Sequence, residues 1–123
     1  MKIIFKTFNL NEFIDFKKES IKQYSLELID SGKSTDINAL NDATKEFDEI
    51  LPQGFETENH YLYHIVNSKE ENVGYIWFEN KGDELFICDL FINERQRKKG
   101  YGKSALLELK KVRKIRGRIN TPF

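Results

Sequence analysis

Basic residues crowd around two glycines in one short stretch, Arg97-Lys98-Lys99-Gly100-Tyr101-Gly102-Lys103-Ser104. Glycine has no side chain, so an anion can come close to the main chain there. If a helix starts at this point, its first N–H groups and the positive end of its dipole serve the same anion. Arg97, Lys98, Lys99 and Lys103 add full charges. Binding of a phosphate or pyrophosphate is the chemistry this composition suits. The plainer alternative is a tight turn that needs the glycines for itself.

Two phosphate motifs fail here. Gly102-Lys103-Ser104 looks like the end of a P-loop, but the leading glycine would fall at Arg97. A dinucleotide fingerprint would need a third glycine where Ala105 stands. The pattern that is filled is [QR]-x-x-G-x-[GA], from Arg97 to Gly102.

The elements that must position this stretch follow from periodicity and breakers. Lys2–Phe8 is β-rich and predicts a first strand. Asn9 with Glu12 three residues on reads as a capping box opening a helix, with Phe13, Ile21, Tyr24 and Leu28 on its apolar face. A second helix is expected from about Asp36, with Ile37, Leu40, Phe47 and Leu51 as its stripe, ended by Pro52 and Gly54. Tyr61–Asn67, Asn72–Glu79 and Glu84–Asn93 predict three strands joined by short polar turns, hence antiparallel hairpins. A last helix is expected from near Gly102, with Ala105, Leu106, Leu109 and Val112 buried and Gly117 as its C′ residue. The order β-α-α-β-β-β-α is an α+β fold: a mostly antiparallel sheet with flanking helices.

Composition bounds the rest. The 123 residues, with 39% apolar and 13% aromatic side chains, suffice for one core in a single domain. No run is apolar enough to span a membrane, and the start shows no signal-peptide pattern. One cysteine, Cys88, allows no intrachain disulfide, and with His60 and His64 it makes no zinc pattern. A reducing, cytoplasmic location is the expectation. The zero net charge hides a split: residues 1–93 hold 9 Lys+Arg against 18 Asp+Glu, and residues 94–123 hold 11 against 2. An anionic partner for the basic end is one meaning, and compensation of the acidic part is the other.

With the wider frame Ile92-Asn93-Glu94-Arg95-Gln96-Arg97-Lys98-Lys99-Gly100-Tyr101-Gly102 after a β-rich stretch and at a helix start, the chain resembles the GCN5-related N-acetyltransferase (GNAT) superfamily. The element order is also the order of that family's N-terminal part. The resemblance implies acetyl-CoA as cofactor and an amine acceptor, a small molecule or a peptide. It implies main-chain pairing of the cofactor's pantetheine arm along Leu90, Phe91 and Ile92. It further implies N–H groups from Arg97 through Lys98, Lys99, Gly100 and Tyr101 to Gly102 around the pyrophosphate, flanked by Lys103 and Ser104.

Acetyl transfer to an amine needs a bound cofactor, a neutral amine and stabilisation of the developing oxyanion. Asp89, in the motif strand, is the candidate base, because burial there would raise its pKa. A structural carboxylate at a strand irregularity explains Asp89 as well, and Glu79 is the second candidate. One of the pairs Tyr75/Trp77 and Ile76/Phe78 faces an acceptor or the core. His64 reads as a partly buried strand residue and Cys88 as core.

The family's domains continue past the motif helix with further strands and a helix, whereas this chain runs only to Arg118–Phe123 after Gly117. A domain lacking those usual C-terminal elements is therefore expected. The exposed edge of the motif strand would be covered by Arg118–Phe123 or by a second copy in a homodimer. The alternative function is a catalytically impaired or non-catalytic CoA-binding remnant. Nucleic-acid binding through Lys103, Lys110, Lys111, Arg113, Lys114 and Arg116 is opposed by the acidic first 93 residues.

Overall fold

The structure, a computed structural model, describes residues 2–117. Its element order is β1 (Ile3–Thr7), α1 (Leu10–Asp30), α2 (Ala39–Ile50), β2 (His60–Asn67), β3 (Asn72–Asn80), β4 (Glu84–Ile92), α3 (Tyr101–Lys110) and β5 (Lys114–Gly117), with single 3₁₀ turns at Gly54–Glu56 and Glu94–Gln96. The α+β class expected from the sequence is borne out. The chain divides into two compact units.

The first unit comprises residues 2–8 and 59–117 among those described. Its five strands lie in sequence order, β1-β2-β3-β4-β5. The first three pairings are antiparallel, as the short polar turns require for β2–β3 and β3–β4, and β5 runs parallel to β4. Alternation sorts the side chains into two faces. On one face Ile65, Ile76, Phe78, Leu85, Ile87, Leu90 and Ile92 pack with Ala105 and Leu109 of α3. Tyr75, Trp77, Asp89 and Phe91 occupy the other face, placed there by the pairs Tyr75↔Phe91 and Trp77↔Asp89. The pairing then steps from Trp77↔Asp89 to Phe78↔Ile87, so Cys88 is an extra residue, a β-bulge.

The C-terminal reading needs correction. α3 ends at Lys110, and Val112 lies beyond it, 67% exposed. Gly117 is not a helix C′ residue but the last described residue of β5, opposite Ile87. A Cβ there would collide with the Ile87 carbonyl, and its φ of 138° suits glycine, so the sequence signal was a close strand approach. The basic run Lys110–Arg116 is accordingly a helix end, a turn and a strand, not a continuation of the last helix up to Gly117. The edge of the motif strand is paired by β5 along Glu84–Ile87. The expected cover by Arg118–Phe123 lies outside the described residues.

The second unit comprises residues 9–58, with α1 against α2. The capping box is present: Glu12 N–H donates to Asn9 Oδ1 at 2.8 Å, and Asn9 N–H to Glu12 Oε1 at 2.9 Å. Phe13, Phe16 and Phe47 form an aromatic cluster with ring centroids 6.2–6.3 Å apart. The predicted α2 stripe holds at Phe47 and Leu51, which are buried, but not in its first half. The helix begins at Ala39, its buried line is Ala39, Ala43 and Phe47, and Ile37 and Leu40 are exposed. Small alanines at i and i+4 let two helices approach closely, and large-residue counting overlooks them.

Candidate cofactor and active site

β4 delivers the chain to the glycine-containing turn. Asn93 N–H donates to Val73 O at 2.8 Å and Asn93 Nδ2 to Asn72 O at 3.2 Å, which fixes the turn's start on β3. Lys98 has φ 64° and Gly100 φ 91°. Two left-handed residues so close together reverse the chain sharply, and the one at a lysine carries strain of the kind that functional turns retain. Gly100 is the residue before α3, and its carbonyl accepts from Ser104 N–H at 3.0 Å, closing the first helical turn. The N–H groups of Tyr101, Gly102 and Lys103 precede any intrahelical acceptor.

Each predicted cofactor residue has a definite place. Leu90 and Ile92 point into the core, 1% and 0% exposed, so only their main chain can serve a ligand. Phe91, half-buried on the other face, stacks on Tyr75 with centroids 5.5 Å apart. Arg97 turns back onto β4: its Nε donates to Ile92 O at 2.8 Å and its guanidinium lies 5.4 Å from the Phe91 ring centre. Its own N–H donates to Glu94 O at 3.3 Å. Arg97 thus shapes the turn. Lys98, Lys99 and Lys103 are exposed around it, and Ser104 is half-buried. Gly102 is buried, whereas Gly100 is exposed. The Tyr101 hydroxyl accepts from Asn67 Nδ2 at 3.2 Å, so its ring is a structural anchor. The left-handed turn, the first-turn N–H groups, which have no acceptor among the described residues, and three exposed lysines fit a pyrophosphate. Nothing in the sequence marked Asn67 or the inward turn of Arg97.

The second cluster sits at the bulge. Tyr75 Oη donates to Asp89 Oδ2 at 2.6 Å. Burial pushes the Asp89 carboxyl above its ordinary value, while the Tyr75 hydroxyl and the Leu90 N–H partly offset this by favouring the charged form. Trp77 Nε1 donates to His60 Nδ1 at 3.0 Å, and Glu79 Oε2 lies 3.9 Å from His60 Nε2. Burial lowers the His60 pKa, against a smaller upward pull from Glu79. Burial also pushes the Cys88 thiol up to about 12, with Glu79 and Asp89 adding to it, so this cysteine is a neutral thiol and a poor nucleophile. His64 stacks on Phe8, centroids 3.8 Å apart, and its Nδ1 meets Asn72 Nδ2 at 2.9 Å. Tyr75 and Asp89 were separate candidates in the sequence, and pairing them needed the β3–β4 register.

Three of the six cations considered for nucleic acid are engaged. Arg113 donates to Asn80 Oδ1 at 2.7 Å, Arg116 pairs with Glu84 at 2.8 Å and Lys111 with Glu108 at 2.9 Å. They belong to different elements and do not form one basic stripe. Among the described residues no helix is long and apolar enough to cross a membrane, and no group of His, Cys, Asp and Glu could hold a metal ion.

The first unit is a mostly antiparallel sheet whose fourth strand leads through a glycine turn into a helix, and comparison with known proteins gives its family. The model of the Acetyltransferase (GNAT) family matches residues 27–118, and the chain belongs to that family. It is 29% identical over 121 residues to the uncharacterized N-acetyltransferase YycN of Bacillus subtilis, covering 95% of this chain and 78% of YycN. The crystal structure of YycN superposes with a TM-score of 0.81 at 26% identity, covering 96% of this chain and 82% of that one. A second Bacillus subtilis protein, the uncharacterized N-acetyltransferase YdgE, is 28% identical over 102 residues, covering 80% of this chain and 65% of YdgE. The fold is shared with the PaiA N-acetyltransferase of Thermoplasma acidophilum, solved in complex with coenzyme A, at a TM-score of 0.53 and 13% identity over 91% of this chain and 72% of that one. The resemblance carried by Ile92–Gly102 is thereby borne out at the level of the family.

Proposed function

We propose that this chain is an acetyl-CoA-dependent N-acetyltransferase acting on an amine, either a small molecule or a peptide. The observation that carries the proposal is the turn Arg97–Gly102, left-handed at Lys98 and Gly100 and leading into α3. N–H groups from Lys98 to Lys103 hold the pyrophosphate, and Lys98, Lys99 and Lys103 neutralise it. The main chain of Leu90 to Ile92 guides the pantetheine arm along β4. When bound, acetyl-CoA supplies an acetyl group activated as a thioester.

The chain's own catalytic contribution rests on Asp89. An acceptor amine arrives as an ammonium and must lose a proton before it can attack. The Asp89 carboxylate takes that proton, and its raised pKa brings its basicity nearer to neutral pH. Tyr75 fixes the carboxylate through the 2.6 Å bond. The PaiA relative, solved with coenzyme A, supports the cofactor assignment by likeness of fold.

The test is a thermal melt with coenzyme A, followed by thiol-release assays over a panel of amines. Binding must raise Tm, because a ligand of the folded state stabilises it. An unchanged Tm at millimolar coenzyme A defeats the proposal. A raised Tm without turnover on any amine leaves a CoA-binding protein that does not catalyse.

A further inference from the structure

Asn67 is buried, 5% exposed, at the end of β2, and every hydrogen-bonding position of its amide is used. Its Oδ1 accepts from Lys69 N–H at 3.0 Å and Glu71 N–H at 2.9 Å. These two main-chain donors fix which end of the amide is oxygen. Nδ2 must then face Glu71 Oε1 at 2.9 Å and Tyr101 Oη at 3.2 Å. The last bond spans 34 residues of sequence and ends on the first residue of α3.

The facing ends of β2 and β3 thus grip the glycine turn at both ends. At the start, Asn93 is bonded to Val73 and Asn72. At the finish, Tyr101 is bonded to Asn67. Between these ties run the strained Lys98 and the left-handed Gly100. A turn with such backbone angles keeps its N–H groups aimed only while its ends are held at a fixed separation. Tyr101 is also the side chain that seats the start of α3 against the core cluster.

We propose that Asn67 and Tyr101 are positioning residues that form a latch, setting the N-terminus of α3 so that the Lys98–Lys103 amides are preorganised for the cofactor's pyrophosphate. The inference rests on the functional reading above. Both side chains act through the main chain they position, since their polar atoms are bonded to Lys69, Glu71 and each other. The latch acts by removing the conformational cost of arranging the turn at the moment of binding.

Tyr101→Phe is the cleanest probe, since it deletes one hydroxyl and keeps the ring in the core. Its expected effect is a rise of about fivefold to tenfold in the Kd for coenzyme A, the worth of one such hydrogen bond. In steady state the KM for acetyl-CoA rises while kcat and the KM of the amine hold. Amide hydrogen exchange in the unliganded chain speeds up at Ser104 and Ala105, the first amides at the start of α3 that have an acceptor. Asn67→Ala, which also loosens the turn at Glu71, weakens coenzyme A further, yet adding it to Tyr101→Phe costs less than the sum of the two. An unchanged Kd together with unchanged exchange in Tyr101→Phe overturns the latch. If the wild-type chain binds no coenzyme A, the functional reading falls, and exchange at Ser104 and Ala105 still decides for or against the latch. Should Asn67→Ala fail to fold, Tyr101→Phe suffices.

Discussion

The hydroxyl of Tyr75 donates to Oδ2 of Asp89 at 2.6 Å across the β3–β4 ladder, two residues from the paired position Trp77↔Asp89. The bond favours the charged carboxylate while burial disfavours it. Removing the hydroxyl in Tyr75→Phe therefore raises the Asp89 pKa further. If Asp89 is the base, the acid limb of the kcat/KM profile moves to higher pH. Asp89→Asn removes the base and is expected to lower kcat by about 100-fold or more. The same change should increase Tm at neutral pH. A carboxyl whose pKa is raised on folding stabilises the fold below its unfolded value of 3.8, and that contribution is lost as pH rises through the folded value. A Tm that falls in Asp89→Asn would show the carboxylate to be a structural partner of Tyr75 and Leu90.

His60 carries the opposite sign. Its pKa is lowered on folding, chiefly by burial, from 6.5. The fold is favoured above that unfolded value, and the contribution is lost as pH falls through the folded value. Urea midpoints measured from about pH 7 down to about pH 5 should decline in the wild type and decline less in His60→Gln. Equal slopes for the two would remove His60 from the account.

Cys88 is a half-buried thiol raised to about 12. Alkylation by iodoacetamide at mildly alkaline pH should be about a hundredfold or more slower in the folded chain than in urea, because the thiolate is the reactive form. Comparable rates in the two states would mean that the bulge opens readily.

Gly74 faces β4, where a Cβ would collide with the Phe91 carbonyl. Gly74→Ala must push β3 and β4 apart at the point where Tyr75↔Phe91 and Gly74↔Ile92 pair. A loss of about 3 kcal/mol is expected from chemical denaturation. A loss below about 1 kcal/mol would mean that the ladder adjusts there with little cost.

The strands from Tyr61 to Asn93 were legible because aromatic and β-branched residues alternate and short polar turns leave only antiparallel pairing. The Asn9–Glu12 box was legible because capping chemistry is local. What was lost depended on partners distant in sequence. Ala39 and Ala43 are buried because of what they allow to approach, not because they are large. Lys114–Gly117 is too short and too charged to look like a strand, and pairs with β4 all the same. The motif marked the turn at Lys98–Gly102. It could not reveal that Arg97 folds back onto Ile92, nor that Asn67 reaches Tyr101.

The parallel pairing of β5 also bears on how the sheet is assembled. β2, β3 and β4 can zip through turns of a few residues, whereas β5 reaches β4 only after the chain has passed through the glycine turn and α3. Closing that longer crossover costs more chain entropy before any contact rewards it. β5 should therefore join late in folding and open early in unfolding. Pulse-labelling exchange would show Ile115 and Arg116 protected after Ile76 and Leu90, and protection in the reverse order would exclude that sequence of events. β5, the last of the described strands to join, is then also the first point of release.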